Sequence, residues 1–108
     1  MAVQFNSENF ESLVLNQPGT VLVDFWATWC PPCRALGPII EQVAADNKDK
    51  AVVGKLNVDE SPEIAGNYGI ASIPTVLVFR DGQVVDSIVG LNSKQTYQDV
   101  IDQLTLPV

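Results

Sequence analysis

The sequence predicts an α/β fold in which a mixed central β-sheet of about five strands is flanked by four helices. Three observations carry that expectation. Apolar runs of strand length alternate with segments whose apolar residues recur at helical spacing, in the order βαβαβαββα. One pair of runs is separated only by Asp81-Gly82, a two-residue hairpin signal that calls for an antiparallel pair, so the sheet is mixed and covered by helices. The chain has 108 residues, 46% of them hydrophobic and 18% charged, enough for one real core and little more. A single domain over residues 1–108 is therefore expected, without internal repeats, linkers or low-complexity stretches.

In chain order, Val3 and Phe5 allow a short first strand. Ser7 can cap a helix running through Leu15, with Phe10, Leu13 and Val14 on one face, and Gln17-Pro18-Gly19 breaks it. The central strand is Val21-Leu22-Val23-Asp24-Phe25-Trp26-Ala27. A long helix from about Cys33 to Asn47 carries Leu36, Ile39, Ile40, Val43 and Ala44, and Pro38 inside it removes a hydrogen bond and should kink it. Ala51 to Asp59 reads as another strand. Ser61-Pro62-Glu63 starts a short helix, with Ser61 as cap and Pro62 at the first position, and Gly69 stops it. Thr75 to Arg80 and Gln83 to Val89 form the hairpin. Ser93 opens the last helix, where Tyr97, Val100, Ile101 and Leu104 repeat at i, i+3, i+4, i+7.

Charge excludes several classes of function. Six Lys plus Arg stand against 13 Asp plus Glu, a formal net charge of −7. Nucleic acid needs a basic surface, and anionic membranes are disfavoured for the same reason. No segment approaches the roughly 18 consecutive apolar residues of a membrane span. The first residues show neither a basic region nor an apolar signal core, so a cytoplasmic location is expected.

The chemistry centres on Cys30-Pro31-Pro32-Cys33, which holds the only two cysteines of the chain. It lies where a strand gives way to a helix. Two thiols three residues apart on a first helical turn can close a small disulfide ring and reopen it. As a staple the ring would contribute little, because the loop-closure term grows with loop length. In a reducing compartment such a pair is more often catalytic or metal-binding than structural. A tetrahedral zinc site usually needs four Cys or His ligands, and the chain has two Cys and no His, so no metal is expected. Thiolate is the active nucleophile, and a helix N-terminus lowers thiol pKa. Cys30 is placed to receive that help, while Cys33, one turn inward, should be more buried and less acidic. Attack by Cys30 on a substrate disulfide and resolution of the mixed disulfide by Cys33 follow. Pro31 and Pro32 have no N–H to offer the Cys30 sulfur, which leaves the backbone N–H of Cys33 as the nearest local donor.

Two charges interrupt apolar strands. Asp24 shares a strand face with Leu22 and Trp26, and Lys55 lies within Val52-Val53-Gly54-Lys55-Leu56. If a helix covers that face, burial raises the Asp24 pKa, and the carboxylate could take the Cys33 proton with Lys55 moderating it. From the residues alone, partly exposed strand positions are an equal alternative.

The run Asp24-Phe25-Trp26-Ala27-Thr28-Trp29-Cys30-Pro31-Pro32-Cys33-Arg34, followed by Pro38, Ile73-Pro74-Thr75 and Gly90, resembles the thioredoxin family. The resemblance extends essentially end to end, taking in Lys55, Asp59, Tyr68-Gly69-Ile70 and Asp81-Gly82. It implies a thioredoxin fold and protein-disulfide reductase activity, with Cys30 as nucleophile, Cys33 as resolver and Asp24 as buried acid/base group. It also implies a cis peptide bond before Pro74, and a shallow docking surface framed by Trp29, Ile73, Pro74, Val89, Gly90 and Leu91. The implied partners are disulfide-containing proteins and a separate thioredoxin reductase, NADPH- or ferredoxin-linked, with no bound cofactor beyond the redox-active disulfide and a monomeric state. A dedicated oxidant or isomerase, and a non-catalytic binding module, are the alternative functions. This chain departs from the usual pattern at Pro31, where most relatives carry Gly, so Pro31 and Pro32 should stiffen the active-site turn. Many relatives also carry basic residues at or near the positions of Ala71 and Ile88.

Overall fold

The computed structural model describes residues 1–105. Five strands form one sheet in the order β1-β3-β2-β4-β5. They are β1 (Val3–Phe5), β2 (Thr20–Trp26), β3 (Ala51–Asn57), β4 (Thr75–Arg80) and β5 (Gln83–Val89). Strand β3 runs parallel to both β1 and β2, whereas β4 is antiparallel to β2 and β5 to β4. The helices are α1 (Pro31–Asp46), α2 (Pro62–Asn67) and α3 (Lys94–Thr105), and Glu11–Leu15 forms one π-helical turn.

Alternation along β2 divides the core. Val21, Val23 and Phe25 face a cluster with Phe10, Val14, Ile64 and Phe79. Leu22 faces the other way, against Leu36, Ile40 and Val43 of α1 and Tyr97 and Ile101 of α3. Period-2 alternation in the strand and i, i+4, i+7 spacing in α1 thus meet on one surface. On the first face Phe10, Tyr68 and Phe79 form an aromatic trio with ring centroids 5.5–5.9 Å apart. On the second, the end of α1 is tied to α3 by a reciprocal amide pair, in which Asn47 donates to Gln98 at 2.7 Å and Gln98 donates back at 2.9 Å.

Several local expectations are corrected. The segment before β2 is a π-helical turn over Glu11–Leu15, and its approach is capped by Asn6, whose Oδ1 accepts from the N–H groups of Glu8 and Asn9 at 2.9 and 3.0 Å. Ser7 is not the cap, because Asn6 already supplies the acceptor those donors need. Ser61 does not cap α2 with its side chain either; its hydroxyl accepts the Ser7 N–H at 3.2 Å and joins the two segments. Helix α1 starts at Pro31, since proline at the first two positions loses no hydrogen bond. It runs from there to Asp46 with Pro38 inside it. Strand β3 ends at Asn57, where a turn carries the chain towards α2.

Where β1 approaches β3, Val3 lies opposite Gly54. A side chain at Gly54 would strike the Phe5 ring and the Val3 carbonyl, so the approach of β1 requires glycine there.

Candidate active site

Strand β2 leads through Ala27-Thr28-Trp29 to Cys30, the N-cap of α1. Cys30 has φ −97° and ψ 107°, the extended conformation that a residue before proline prefers. Pro31 nevertheless enters the helix ahead of Pro32, at a position where the following proline disfavours helical backbone. Cys30 and Cys33 are joined as a disulfide with Cα atoms 5.2 Å apart. The Cys33 N–H lies 3.3 Å from Cys30 Sγ, as its status as the one local donor requires. Both sulfur-bearing residues are buried, Cys30 at 3% and Cys33 at 2% exposure. The expected contrast in burial between them is thus absent from the disulfide form, because the ring holds both against Ala27 and Ile73.

The Ile73-Pro74 peptide bond is cis, and Cys30 Sγ sits 3.8 Å from the Ile73 carbonyl oxygen. Gly90 has φ +88°, which glycine adopts without strain, and its N–H donates to the Pro74 carbonyl at 2.8 Å. Pro74 is therefore linked to the end of β5 and the loop that follows, where Val89 and Leu91 stand exposed. Trp29, next to Cys30 in sequence, is 65% exposed, and its indole Nε1 donates to Asp59 Oδ2 at 2.9 Å. Ala27, Trp26, Val58 and Ile73 pack against the two cysteines.

Behind the disulfide, Asp24 is 1% exposed. It faces α1 and shares a cavity of about 220 Å³ with Trp26, Cys33, Arg34, Gly37 and Lys55. Its Oδ1 makes no hydrogen bond to any described residue. Burial raises its pKa from 3.8 to about 7, an effect moderated by the positive charge of Lys55. Of the two readings left open for Asp24, the buried one holds. Lys55 is its register neighbour across β2 and β3, but the contact ion pair of Lys55 is with Glu41, Nζ to Oε2, at 3.2 Å. Glu41 was not singled out from sequence, although Cys33, Gly37 and Glu41 at i, i+4, i+8 lie on one helical stripe. Asp59 was likewise given no role; nothing local in sequence joins it to Trp29.

A disulfide at a helix N-terminus, backed by a buried carboxyl, is the arrangement of a thiol–disulfide oxidoreductase. The thioredoxin family profile matches residues 1–103. The chain is 53% identical over 96 residues to a thioredoxin of Chlorobaculum thiosulfatiphilum, covering 89% of each. It is 50% identical over 96 residues to thioredoxin 2 of Chlorobaculum tepidum, covering 89% of this chain and 88% of the relative. With a thioredoxin of Staphylococcus aureus the identity is 46% over 101 residues, 94% of this chain and 95% of that one. The chain belongs to the thioredoxin family and has its fold. Its activity is protein-disulfide reduction through the Cys30–Cys33 couple. Among the described residues no cluster of three or more His, Cys, Asp or Glu could hold a metal ion, and no helix is long and apolar enough to cross a membrane.

Proposed function

We propose that Cys30 is the attacking thiolate, Cys33 the resolving thiol and Asp24 the group that takes its proton. The observation that carries this assignment is the cavity joining Cys33 to the buried Asp24, whose pKa of about 7 suits a base working near neutral pH. Cys30 thiolate attacks one sulfur of a substrate disulfide and expels the other as a thiolate, leaving a Cys30–substrate mixed disulfide. Cys33 gives its proton to Asp24 and attacks Cys30 Sγ. The second substrate thiolate leaves and is protonated. The substrate gains two electrons, and the Cys30–Cys33 disulfide forms. A separate reductase, NADPH- or ferredoxin-linked, returns the pair to the dithiol.

Trp29, Ile73, Pro74, Val89, Gly90 and Leu91 form the docking rim. The cis turn at Pro74 presents the Ile73 backbone beside Cys30, where an extended substrate segment can add as a strand. Residues 1–108 act as one monomeric domain in the cytoplasm with no bound cofactor; all five strands belong to a single sheet, which supports the single domain. The test is Cys33→Ser, in which the resolving step is missing. Mixed disulfides with several proteins should accumulate on Cys30, and Cys30→Ser should trap none. Trapping on Cys33 instead, in a Cys30→Ser background, would reverse the two roles.

A further inference from the structure

Lys55 lies between two carboxylates that differ in setting. Asp24, its register neighbour, is sealed in the core, while Glu41 on α1 is partly open to solvent. Lys55 itself has a side chain only 16% exposed, and its Nζ stands over Gly37, 3.5 Å from where a Cβ would be. The ammonium thus lies along the Cys33-Gly37-Glu41 stripe of α1. Glu41 is held at both oxygens: Oε2 pairs with Lys55, and Oε1 accepts the Ala2 N–H at 2.8 Å. That backbone hydrogen bond and the Lys55 ammonium hold its carboxyl below the usual range, so it remains charged throughout the pH range in which Asp24 titrates.

We propose that Glu41 is a positioning residue of the redox site: it anchors the Lys55 ammonium against α1 and so holds that cation out of contact with its register neighbour, the Asp24 carboxyl. The inference deepens the role given to Asp24 and takes its functional meaning from that role. Other groups facing Asp24 do not compete for Lys55. From α1, Cys33 is locked in the disulfide and Arg34 donates to the Thr28 carbonyl at 3.0 Å. From α3, Tyr97 is buried, and that burial raises its phenol above 10, leaving it neutral. On β4 the facing residue is the apolar Val76. Glu41 therefore acts on Asp24 in two ways of one sign. It neutralises and restrains the nearby cation, and it adds a negative charge at longer range.

Glu41→Gln removes the charge while an amide oxygen can still accept the Ala2 N–H, so the N-terminal tether is retained. In the oxidised protein, carboxyl 13C NMR should show the Asp24 midpoint falling by about 0.5 pH unit or more, since an opposite charge within ~4–6 Å lowers a carboxyl by one to three units when fully unshielded. Lys55→Met should raise the midpoint. In the Lys55→Met background, Glu41→Gln should lose more than half its effect, because the cation it restrains is gone. An Asp24 midpoint unchanged in Glu41→Gln, or an undiminished shift without Lys55, overturns the proposal. A second readout separates this inference from the role of Asp24 in catalysis. If the midpoint moves and the pH profile of mixed-disulfide resolution moves with it, both stand. If the midpoint moves and the profile does not, Glu41 still controls Asp24, and the assignment of Asp24 as the proton acceptor fails.

Discussion

Replacing Asp24 by Asn should make the oxidised protein more stable, and by an amount that depends on pH in a defined way. The carboxyl is 1% exposed, and burial raises its pKa from 3.8 to about 7. That is a difference of about three pH units; at 1.36 kcal/mol per unit, ionising the native carboxyl costs about 4 kcal/mol more than ionising it in the unfolded chain. The folded value is the raised one, so the native state is favoured while both states hold the proton, below about pH 3.8. Between there and about pH 7 the unfolded chain releases its proton and the native protein does not, so stability falls by roughly 1.4 kcal/mol per pH unit. Above that range both are ionised and the penalty is constant. Asn carries no such proton. Urea unfolding of both oxidised proteins, followed through the tryptophans between pH 3.5 and 9, should give stability differences that diverge by about 4 kcal/mol from acid to alkaline pH. Comparing two pH values cancels pH-independent effects of the substitution. A gap that stays flat, or grows by less than about 1 kcal/mol, would refute the burial argument. The same variant should resolve mixed disulfides about 100-fold more slowly, the low end of what general acid–base groups contribute.

Three other substitutions probe separate parts of the structure. Gly54→Ala sets a methyl group against the Phe5 ring and the Val3 carbonyl, and should cost about 2–3 kcal/mol in denaturant unfolding with little change in redox potential; a cost below about 0.5 kcal/mol would mean that β1 shifts freely. Pro31→Gly loosens the unfolded chain and the first turn of α1, and should cost about 1 kcal/mol. Its midpoint potential against glutathione should differ from that of the parent by more than about 10 mV, and identical potentials would show that the stiff turn does not tune the couple. Trp29→Ala should raise KM for a protein disulfide about tenfold, as loss of an aromatic recognition contact does, and leave stability within about 0.5 kcal/mol because the ring is mostly exposed. Equal KM values would remove Trp29 from the docking rim.

What could be read from the sequence follows the range of the interactions. Period-2 alternation in Val21 to Trp26 and the helical spacing of Leu36, Ile40 and Val43 place both core faces, because those patterns are local. Cys30 and its single available donor, the Cys33 N–H, follow from chemistry within one turn. Local capping was harder: Ser7 is the cap expected from sequence, whereas the adjacent Asn6, equally able to accept, takes that role. Long-range partner choice was harder still. Lys55 could serve Asp24 or Glu41, and only the packing of α1 on β3 gives the contact pair to Glu41. The Trp29–Asp59 hydrogen bond spans 30 residues and left no local trace. The isomer before Pro74 came from the family resemblance alone, since proline permits either form and tertiary packing selects one.

The same burial that weakens the fold above neutral pH raises the proton affinity of Asp24 to what its proposed role requires. An exposed carboxyl near pH 4 would be too weak a base to accept a proton from Cys33 efficiently, and a hydrogen-bonded or tightly paired one would be weaker still. The structure avoids both. Asp24 takes an inward strand position that Leu22 shows to be suited to an apolar side chain, its Oδ1 accepts no hydrogen bond, and Lys55 makes its contact pair elsewhere. Any substitution that brings Lys55 into contact with Asp24 should therefore stabilise the protein at alkaline pH and slow resolution near neutrality. Alkaline stability and turnover near neutral pH should move in opposite directions across variants that lower the Asp24 midpoint, such as Glu41→Gln, because both depend on the ionisation of one carboxyl. A series in which they rise together would show that the two properties have separate origins.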